Sequence, residues 1–353
     1  MPDPIRRWRL VLGVSILVII VVLIVGVALG AGLTATPGPT QTRPPGPTPT
    51  SQANPAATSV TSPSTSPSQP SVPPTGAPAT GGSTQGAAAI LVGAGDIADC
   101  ASSGDEATAA LLDTIPGTVF TLGDNVYENG TAAEFTNCYG PSWGRKPIKS
   151  RTKPVAGNHD YNASGATGYY GYYGAAAGDP AKGYYAYDLG AWRIYVLNSN
   201  CGSIGGCGTG SAQERWLRDD LAANPRACAI GMWHHPRFSS GEHGSSSATQ
   251  ALYQALYDAN AELVLVGHDH EYERFGPQTA TGVTDDARGL IQIVVGTGGR
   301  SLRQFGAIRP NSLVRNADTW GVIRFSLSAG SWSFNFMPVA GKTFTDTASG
   351  TCH

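Results

Sequence analysis

The sequence predicts an α/β fold in which two β-sheets pack together with helices outside them. Three observations predict it. Short apolar runs alternate with helical patterns from Ala89 onward. Five of those runs stop at a polar residue beside a glycine or proline. A final stretch, Trp320 to Phe336, alternates strictly (Ile323, Phe325, Leu327; Trp332, Phe334, Phe336). Strands interleaved with helices build one layered sheet, and the extra β pattern calls for a second sheet packed on it.

The elements follow in order. Ala89–Gly95 is a buried strand. Asp105–Ile115 is a helix with Ala107, Ala110, Leu111 and Leu112 on its apolar side. Val119–Leu122 is a strand, Thr131–Tyr139 a short helix, and Pro154–Ala156 a short strand. Tyr184–Asp188 and Trp192–Leu197 form a hairpin across Gly190. Ala212–Ala223 is an amphipathic helix whose cap pairs Ser211 with Glu214. Ala227–Trp233 is a strand, Ala248–Ala259 a helix, and Glu262–Val266 and Leu290–Val295 are strands.

The first quarter of the chain is different. Leu10–Leu33 carries no charge, and at about 24 residues it can cross a hydrocarbon core of about 30 Å. Arg6, Arg7 and Arg9 precede it and only Arg43 follows closely, which puts residues 1–9 in the cytoplasm. The reading is a transmembrane signal anchor over 10–33, with export and cleavage near Ala28–Ala35 as the alternative. A twin-arginine signal is a weaker reading, because the apolar stretch is too long. Residues 34–89 are mostly Pro, Thr, Ser, Ala, Gly and Gln, too polar to offset their ordering entropy. They read as a disordered stalk or linker. In each reading residues 90–353 form one domain outside the cytosol.

The formal net charge of -2 excludes a strongly basic nucleic-acid binder. All six cysteines fall in the last domain, and an even count in an exported chain favours disulfides. Cys201 and Cys207 flank a glycine-rich loop and pair first. Cys100–Cys138 and Cys228–Cys352 are one choice among about 15 connectivities.

The five strand ends are GDIA (Gly95–Ala98), GDNVY (Gly123–Tyr127), GNHD (Gly157–Asp160), WHHP (Trp233–Pro236) and GHDH (Gly267–His270). Ligands collect beyond the carboxyl ends of strands in open α/β sheets. These residues offer oxygen and nitrogen donors without sulfur, which suits borderline to hard metals. Six of the seven histidines lie in or beside these motifs. The donors exceed one tetrahedral site, so two metals about 3.5–4 Å apart are expected. Singly, each residue has a plainer reading. Asp96, Asp124 and Asn158 suit turns, Tyr127 suits packing, and His268 or His270 suits a hydrogen-bonded core.

The ordered motifs resemble those of the calcineurin-like metallophosphoesterases. The tyrosine in GDNVY is similar to the purple acid phosphatase branch. The resemblance covers Ile90 to about Gly299 and implies a four-layer α+β sandwich. It implies Asp96, Asp124, Tyr127 and His270 on one metal and Asp124, Asn158, His234 and His268 on the other, with Asp124 bridging. It implies iron bound by a tyrosinate, partnered by Fe, Zn or Mn. Two departures stand out. Ala98 occupies a position where the family has glycine, and Gly231 one where it has valine. His235 therefore rivals His234, which is preferred because it stands two residues before Pro236.

The chemistry implied is hydrolysis of a small phosphate ester, with water activated by the cations attacking phosphorus in line. His159 is the candidate proton donor, and Asp160 either orients it or caps the turn. Asn158, His235 and His243 are candidate substrate contacts, though His243 suits a solvated loop equally. The tyrosines of Tyr169–Tyr173 form either a wall for the leaving group or packing, as in a hairpin core. Arg274 either pairs with a carboxylate or reaches substrate. A phosphomonoesterase is the leading reading. A phosphodiesterase or nucleotide hydrolase on the same site comes next, and a surface-tethered binding protein with a vestigial site last.

Overall fold

A computed structural model describes residues 87–353. The anchor read over 10–33 and nearly all of the stalk lie outside those residues. Among the described residues no helix is long and apolar enough to cross a membrane.

Two sheets carry the fold. In chain order the strands and longer helices are β1 (Ala89–Ala94), α1 (Gly104–Thr114), β2 (Thr118–Thr121), β3 (Thr152–Lys153), α2 (Thr167–Tyr173), β4 (Tyr185–Leu189), β5 (Trp192–Val196) and α3 (Ala212–Ala223). Next come β6 (Ala229–Met232), α4 (Gln250–Asp258), β7 (Leu263–Val266), β8 (Tyr272–Phe275), β9 (Ile291–Val295), β10 (Ser312–Asn316), β11 (Gly321–Ser328), β12 (Ser331–Pro338) and β13 (Thr347–Thr351). The first sheet runs β13-β12-β11-β1-β2-β3, and the second runs β10-β8-β9-β7-β6-β5-β4.

Side chains alternate across a strand, so each strand of the second sheet serves two cores. Ile194, Val196, Ile230, Met232, Leu263 and Leu265 face the core shared with Leu91, Phe120, Phe325 and Phe336 of the first sheet. Tyr195, Leu197, Val264 and Val266 face Leu217 of α3 and Leu252 and Leu256 of α4. Burying a side chain of this size is worth about 1.5–3 kcal/mol.

Strands β1, β2 and β3 run parallel, as do β5, β6, β7 and β9. Their carboxyl ends therefore gather at one edge of each sheet. The two edges are joined by backbone: Gly95 N–H donates to the Val295 carbonyl (2.8 Å) and Gly298 N–H to the Gly95 carbonyl (2.8 Å).

Some expectations shift. Pro154–Ala156 is not a strand; the pairing with β2 uses Thr152 and Lys153 just before it, because Pro154 has no N–H to give the ladder. The Thr131–Tyr139 helix exists, but it continues from Ala132–Glu134 into a π-turn, Phe135–Tyr139. The tyrosine run is helix α2 rather than a hairpin. Tyr169 and Tyr173 are buried, and Tyr173 packs edge-on against Phe135 and Tyr139, so packing is its role. Arg274 pairs with the Asp346 carboxylate at 2.6 Å. The Cys100–Cys138, Cys201–Cys207 and Cys228–Cys352 disulfides are all formed. Disulfides persist in oxidising compartments.

Gly231 has a packing reason. A Cβ there would lie 2.3 Å from Leu256 Cδ1, so the valine expected from the motif would have to displace that side chain of α4. Ala98 is fully buried; its N–H donates to the Asn125 carbonyl and its carbonyl accepts from Tyr127 N–H, which carries the β1 end alongside the β2 end.

Candidate metal centre

The strand ends place their polar residues by abrupt backbone turns. Asp96, Asp124 and His268 all have positive φ (59°, 47° and 73°). Non-glycine residues adopt that region at a cost and tend to be held there at functional sites. The glycines beside them leave room for the ligand side chains. A Cβ on Gly157 would sit 2.1 Å from Asp124 Oδ1, and one on Gly267 would sit 2.6 Å from Asp96 Oδ2.

Seven side chains from five loops converge. The Tyr127 hydroxyl lies 2.9 Å from Asp96 Oδ1 and 3.1 Å from His270 Nε2. His270 Nε2 is 3.6 Å from the same Asp96 oxygen. On the other side, His234 Nε2 is 3.0 Å from Asn158 Oδ1, 3.2 Å from His268 Nδ1 and 3.3 Å from Asp124 Oδ2. Donor atoms of Asp96, Asp124 and His234 all lie within 4.8 Å of one another. Asp124 thus stands between the two sets.

The imidazoles are prepared as lone-pair donors. His234 Nδ1–H donates to the Leu122 carbonyl (2.7 Å) and His270 Nδ1–H to the Ser301 carbonyl (2.9 Å). Each bond fixes the tautomer and turns Nε2 inward, as outer partners of metal-bound histidines do. Burial pushes Asp96 up to about 7. Burial also acts to raise Asp124, but the His234 charge and hydrogen bonds from His234 and His159 hold it well below the ordinary carboxylate range. Burial acts to lower His234, yet the Asp124 carboxylate raises it to about 9. Burial lowers His270 to about 4 and, with the neighbouring imidazoles, drives His268 far down. Burial and the nearby Asp96 raise the Tyr127 phenol well above its usual value. The donor set, four N/O groups on each side with a shared carboxylate, fits a dinuclear centre.

His159 N–H donates to Asp124 Oδ1 (2.8 Å), and its ring packs on Tyr127 with centroids 4.6 Å apart. Its Nδ1–H donates to the Glu128 carbonyl (2.7 Å), which leaves Nε2 toward the site, 4.0 Å from Asp124 Oδ2. Asp160 does not orient that ring. Its carboxylate accepts from Gly157 N–H (2.8 Å), Asn125 Nδ2 (2.8 Å) and Asn125 N–H (3.3 Å). It caps the GNHD turn from within the core. His235 Nδ1 pairs with Ser199 Oγ (2.8 Å), and burial lowers it to about 3. Its ring nitrogen lies near those of His234 and His268, while His234 alone belongs to both donor clusters. His243 is not a freely solvated histidine: its ring lies over His268 at 4.3 Å, with Nδ1–H donating to Asp269 (3.0 Å).

Residues outside the five motifs also reach the centre. The Arg300 guanidinium lies 4.5 Å over the Tyr127 ring and pairs with Asp99 and Glu128. It comes from the glycine-rich turn Gly296–Arg300 after β9, and Ser199 comes from the turn after β5. Both follow apolar strands, but neither is an Asp, Asn or His at the point where the run stops, so the rule that found the five motifs passes them over.

The family model for calcineurin-like phosphoesterases matches residues 91–272. The chain belongs to the calcineurin-like phosphoesterase family. Within that family its likeness runs to purple acid phosphatases. It is 26% identical over 225 residues to purple acid phosphatase 23 of Arabidopsis thaliana, covering 54% of this chain and 48% of that one. It is 24% identical over 227 residues to purple acid phosphatase 15 of the same plant, covering 54% and 41%. The phosphoesterase chain thus spans about half the length, or less, of these curated relatives. In fold it is similar to purple acid phosphatase PPD1 from yellow lupin seeds (TM-score 0.62, 19% identity, 76% of this chain and 54% of that one). GAP50, the anchor in the inner membrane complex of Plasmodium, has a similar fold too (TM-score 0.58, 15% identity, 76% and 90%).

Proposed function

We propose that this phosphoesterase hydrolyses phosphate monoesters outside the cytosol with two metal ions, one of them iron. The observation that carries the reading is the convergence of Asp96, Asp124, Tyr127, Asn158, His234, His268 and His270 around two adjoining donor clusters. In this reading Asp96, Asp124, Tyr127 and His270 hold one cation, and Asp124, Asn158, His234 and His268 the other. Bound cations of this kind activate water at neutral pH and neutralise charge on a phosphoryl group.

The chain's own groups do the rest. As the imidazolium, with Nδ1–H held by the Glu128 carbonyl, His159 presents Nε2–H to the site and supplies a proton to the leaving oxygen or a hydrogen bond to a phosphoryl oxygen. His235 lines the approach as a phosphate contact, and the amide of Asn158 also meets substrate; His243, a candidate contact by sequence, has both ring nitrogens engaged, by Asp269 and Arg303. The transition state spreads charge over equatorial oxygens, so fixed N–H donors there lower the barrier.

The location rests on the sequence: a charge-free span over 10–33, an arginine-flanked N-terminus, a polar stalk over 34–89 and a domain from 90. The reading is a single-pass protein with an external C-terminal domain, or a secreted one after cleavage. The three disulfides agree with either.

One experiment separates the readings. The chain is loaded with Fe and Zn or Mn and offered p-nitrophenyl phosphate and its bis ester. Turnover of the monoester in preference to the diester supports the proposal. The opposite preference moves the assignment to phosphodiesters, and turnover of neither by metal-loaded protein overturns an enzymatic role.

A further inference from the structure

We infer that Arg303 is a specificity residue that selects phosphate compounds bearing a second anionic group; this rests on the phosphatase reading above. Arg303 lies on the segment between β9 and β10, beyond the stretch matched by the family model. Its backbone N–H donates to the carbonyl of His270 (3.0 Å), so its position is tied directly to a residue of the metal centre. The same segment is pinned to the His243 loop by Gly306 N–H donating to the Ser240 carbonyl (2.7 Å) and Arg309 N–H donating to Ser240 Oγ (2.9 Å).

The guanidinium is therefore held at the rim. Its Nη1 donates to His243 Nε2 (3.3 Å), the nitrogen left as acceptor because Nδ1–H donates to Asp269. The His243 ring in turn lies over His268. One imidazole separates a fixed positive charge from the candidate ligands. A phosphoryl group on the metals would leave a second anion, several atoms along the same molecule, beside Arg303.

Its present partner is weak. Glu242 Oε2 sits 3.1 Å from Nη1, but the Glu242 side chain is 63% exposed and that of Arg303 is 34% exposed. Exposed pairs of this kind contribute little and are screened by salt. An incoming phosphate accepts two parallel N–H bonds from a guanidinium, whereas Glu242 meets Arg303 through one oxygen on one nitrogen. The fitting class is a terminal phosphate carrying further phosphates, as in a nucleoside triphosphate or a polyphosphate chain. p-Nitrophenyl phosphate, with one anionic group, does not reach the arginine.

The test compares KM for ATP and for p-nitrophenyl phosphate in metal-loaded wild type, Arg303→Gln and Arg303→Lys. Loss of one charge-assisted contact is expected to raise the ratio of the two KM values about tenfold in Arg303→Gln. Arg303→Lys restores part of it. Arg315→Gln, an arginine on β10 bonded only to Ser312, leaves the ratio unchanged. An unchanged ratio in Arg303→Gln overturns the inference while monoester turnover continues to support the phosphatase reading. Should no substrate turn over, binding decides alone. Calorimetry with tripolyphosphate and with orthophosphate should show the tripolyphosphate preference reduced in Arg303→Gln, and equal preference in both proteins overturns the inference.

Discussion

The Tyr127 hydroxyl donates to Asp96 Oδ1 across 2.9 Å, and both groups are buried. A phenol so placed, with its proton held by a carboxylate, exchanges that proton for a cation without moving the oxygens far. Tyr127→Phe keeps the ring against His159 and Arg300 but removes the ligand oxygen. Iron-loaded wild type is expected to show a visible tyrosinate-to-iron absorption band, and Tyr127→Phe to lack it. An identical band in the variant removes Tyr127 from the metal.

Asp124 lies within 4.8 Å of Asp96 in one donor set and 3.3 Å from His234 in the other. Asp124→Asn conserves the volume between Gly157 and His234 while removing the charge that raises His234. Replacing even an outer partner of a metal ligand typically costs about 10–100-fold. We expect kcat/KM for p-nitrophenyl phosphate to fall by at least about 100-fold, with metal content per chain reduced in elemental analysis. Full metal content with a loss under about tenfold would refute the bridging role.

His159 and Asp160 are neighbours with different tasks. His159→Ala leaves the turn intact and removes a candidate proton donor, worth about 10²–10⁴ in kcat. Asp160→Ala instead strands buried N–H donors of Gly157 and Asn125, each costing about 1–3 kcal/mol. The expected split is lower kcat at unchanged melting temperature for His159→Ala, and a lowered melting temperature for Asp160→Ala. Equal melting temperatures in the two variants would overturn the capping account.

Much of this arrangement was legible in the sequence because two local signals coincide there. The first is a run of alternating or continuous apolar residues. The second is an Asp, Asn or His where the run stops, directly after a glycine in four of the loops and two residues before Pro236 in the fifth. Both are short-range, so β1, β2, β6, β7 and β9 and the five ligand loops could be read directly. Strands β8, β10 and β13 could not. Tyr272–Phe275 carries Glu273 and Arg274 at its centre, and their partners, Ser240, Ser312 and Asp346, are distant in sequence. Ser312–Asn316 and Thr347–Thr351 are half-exposed edge strands with no apolar run to mark them. For Asp160 the sequence leaves two roles open, orienting His159 or capping the turn, and only the fold chooses the cap. Adjacency to His159 suggests a pair, yet the turn sends the two side chains apart, one toward the candidate metal centre and one to Asn125.

Asp105 gives a pH prediction away from the metals. Its carboxylate is buried at the start of α1, where Ser142 Oγ donates to Oδ2 (2.5 Å) and Oδ1 has no partner. Burial raises it to about 7, against the Ser142 bond that lowers it. The folded value is above the unfolded value of about 3.9, so its contribution is present in full below pH of about 4 and is lost as pH rises through about 7. Asp105→Asn removes this titration and keeps the shape. The stability of wild type relative to Asp105→Asn should therefore fall between about pH 4 and 7. Melting curves across that range test it, and a constant difference would mean Asp105 ionises normally.

The disulfides order themselves by the chain they close. Cys228–Cys352 spans 124 residues and links the start of β6 in one sheet to the end of β13 in the other. Cys100–Cys138 spans 38 residues and Cys201–Cys207 only 6. Cross-linking a longer loop removes more entropy from the unfolded chain, about 4.7 kcal/mol for a loop of about 100 residues and about 3 for about 15. Paired Cys→Ser variants should lose melting temperature in that order, with the Cys228/Cys352 pair losing roughly 10 °C at about 2–4 °C per kcal/mol. Cys201–Cys207 has a second effect to separate from this one. It closes the loop after Ser199 and Asn200, next to His235, so its loss should raise KM more than it lowers the melting temperature. A melting-temperature loss larger for Cys201/Cys207 than for Cys228/Cys352 would show that native packing of that loop, rather than unfolded-chain entropy, sets what each bond contributes.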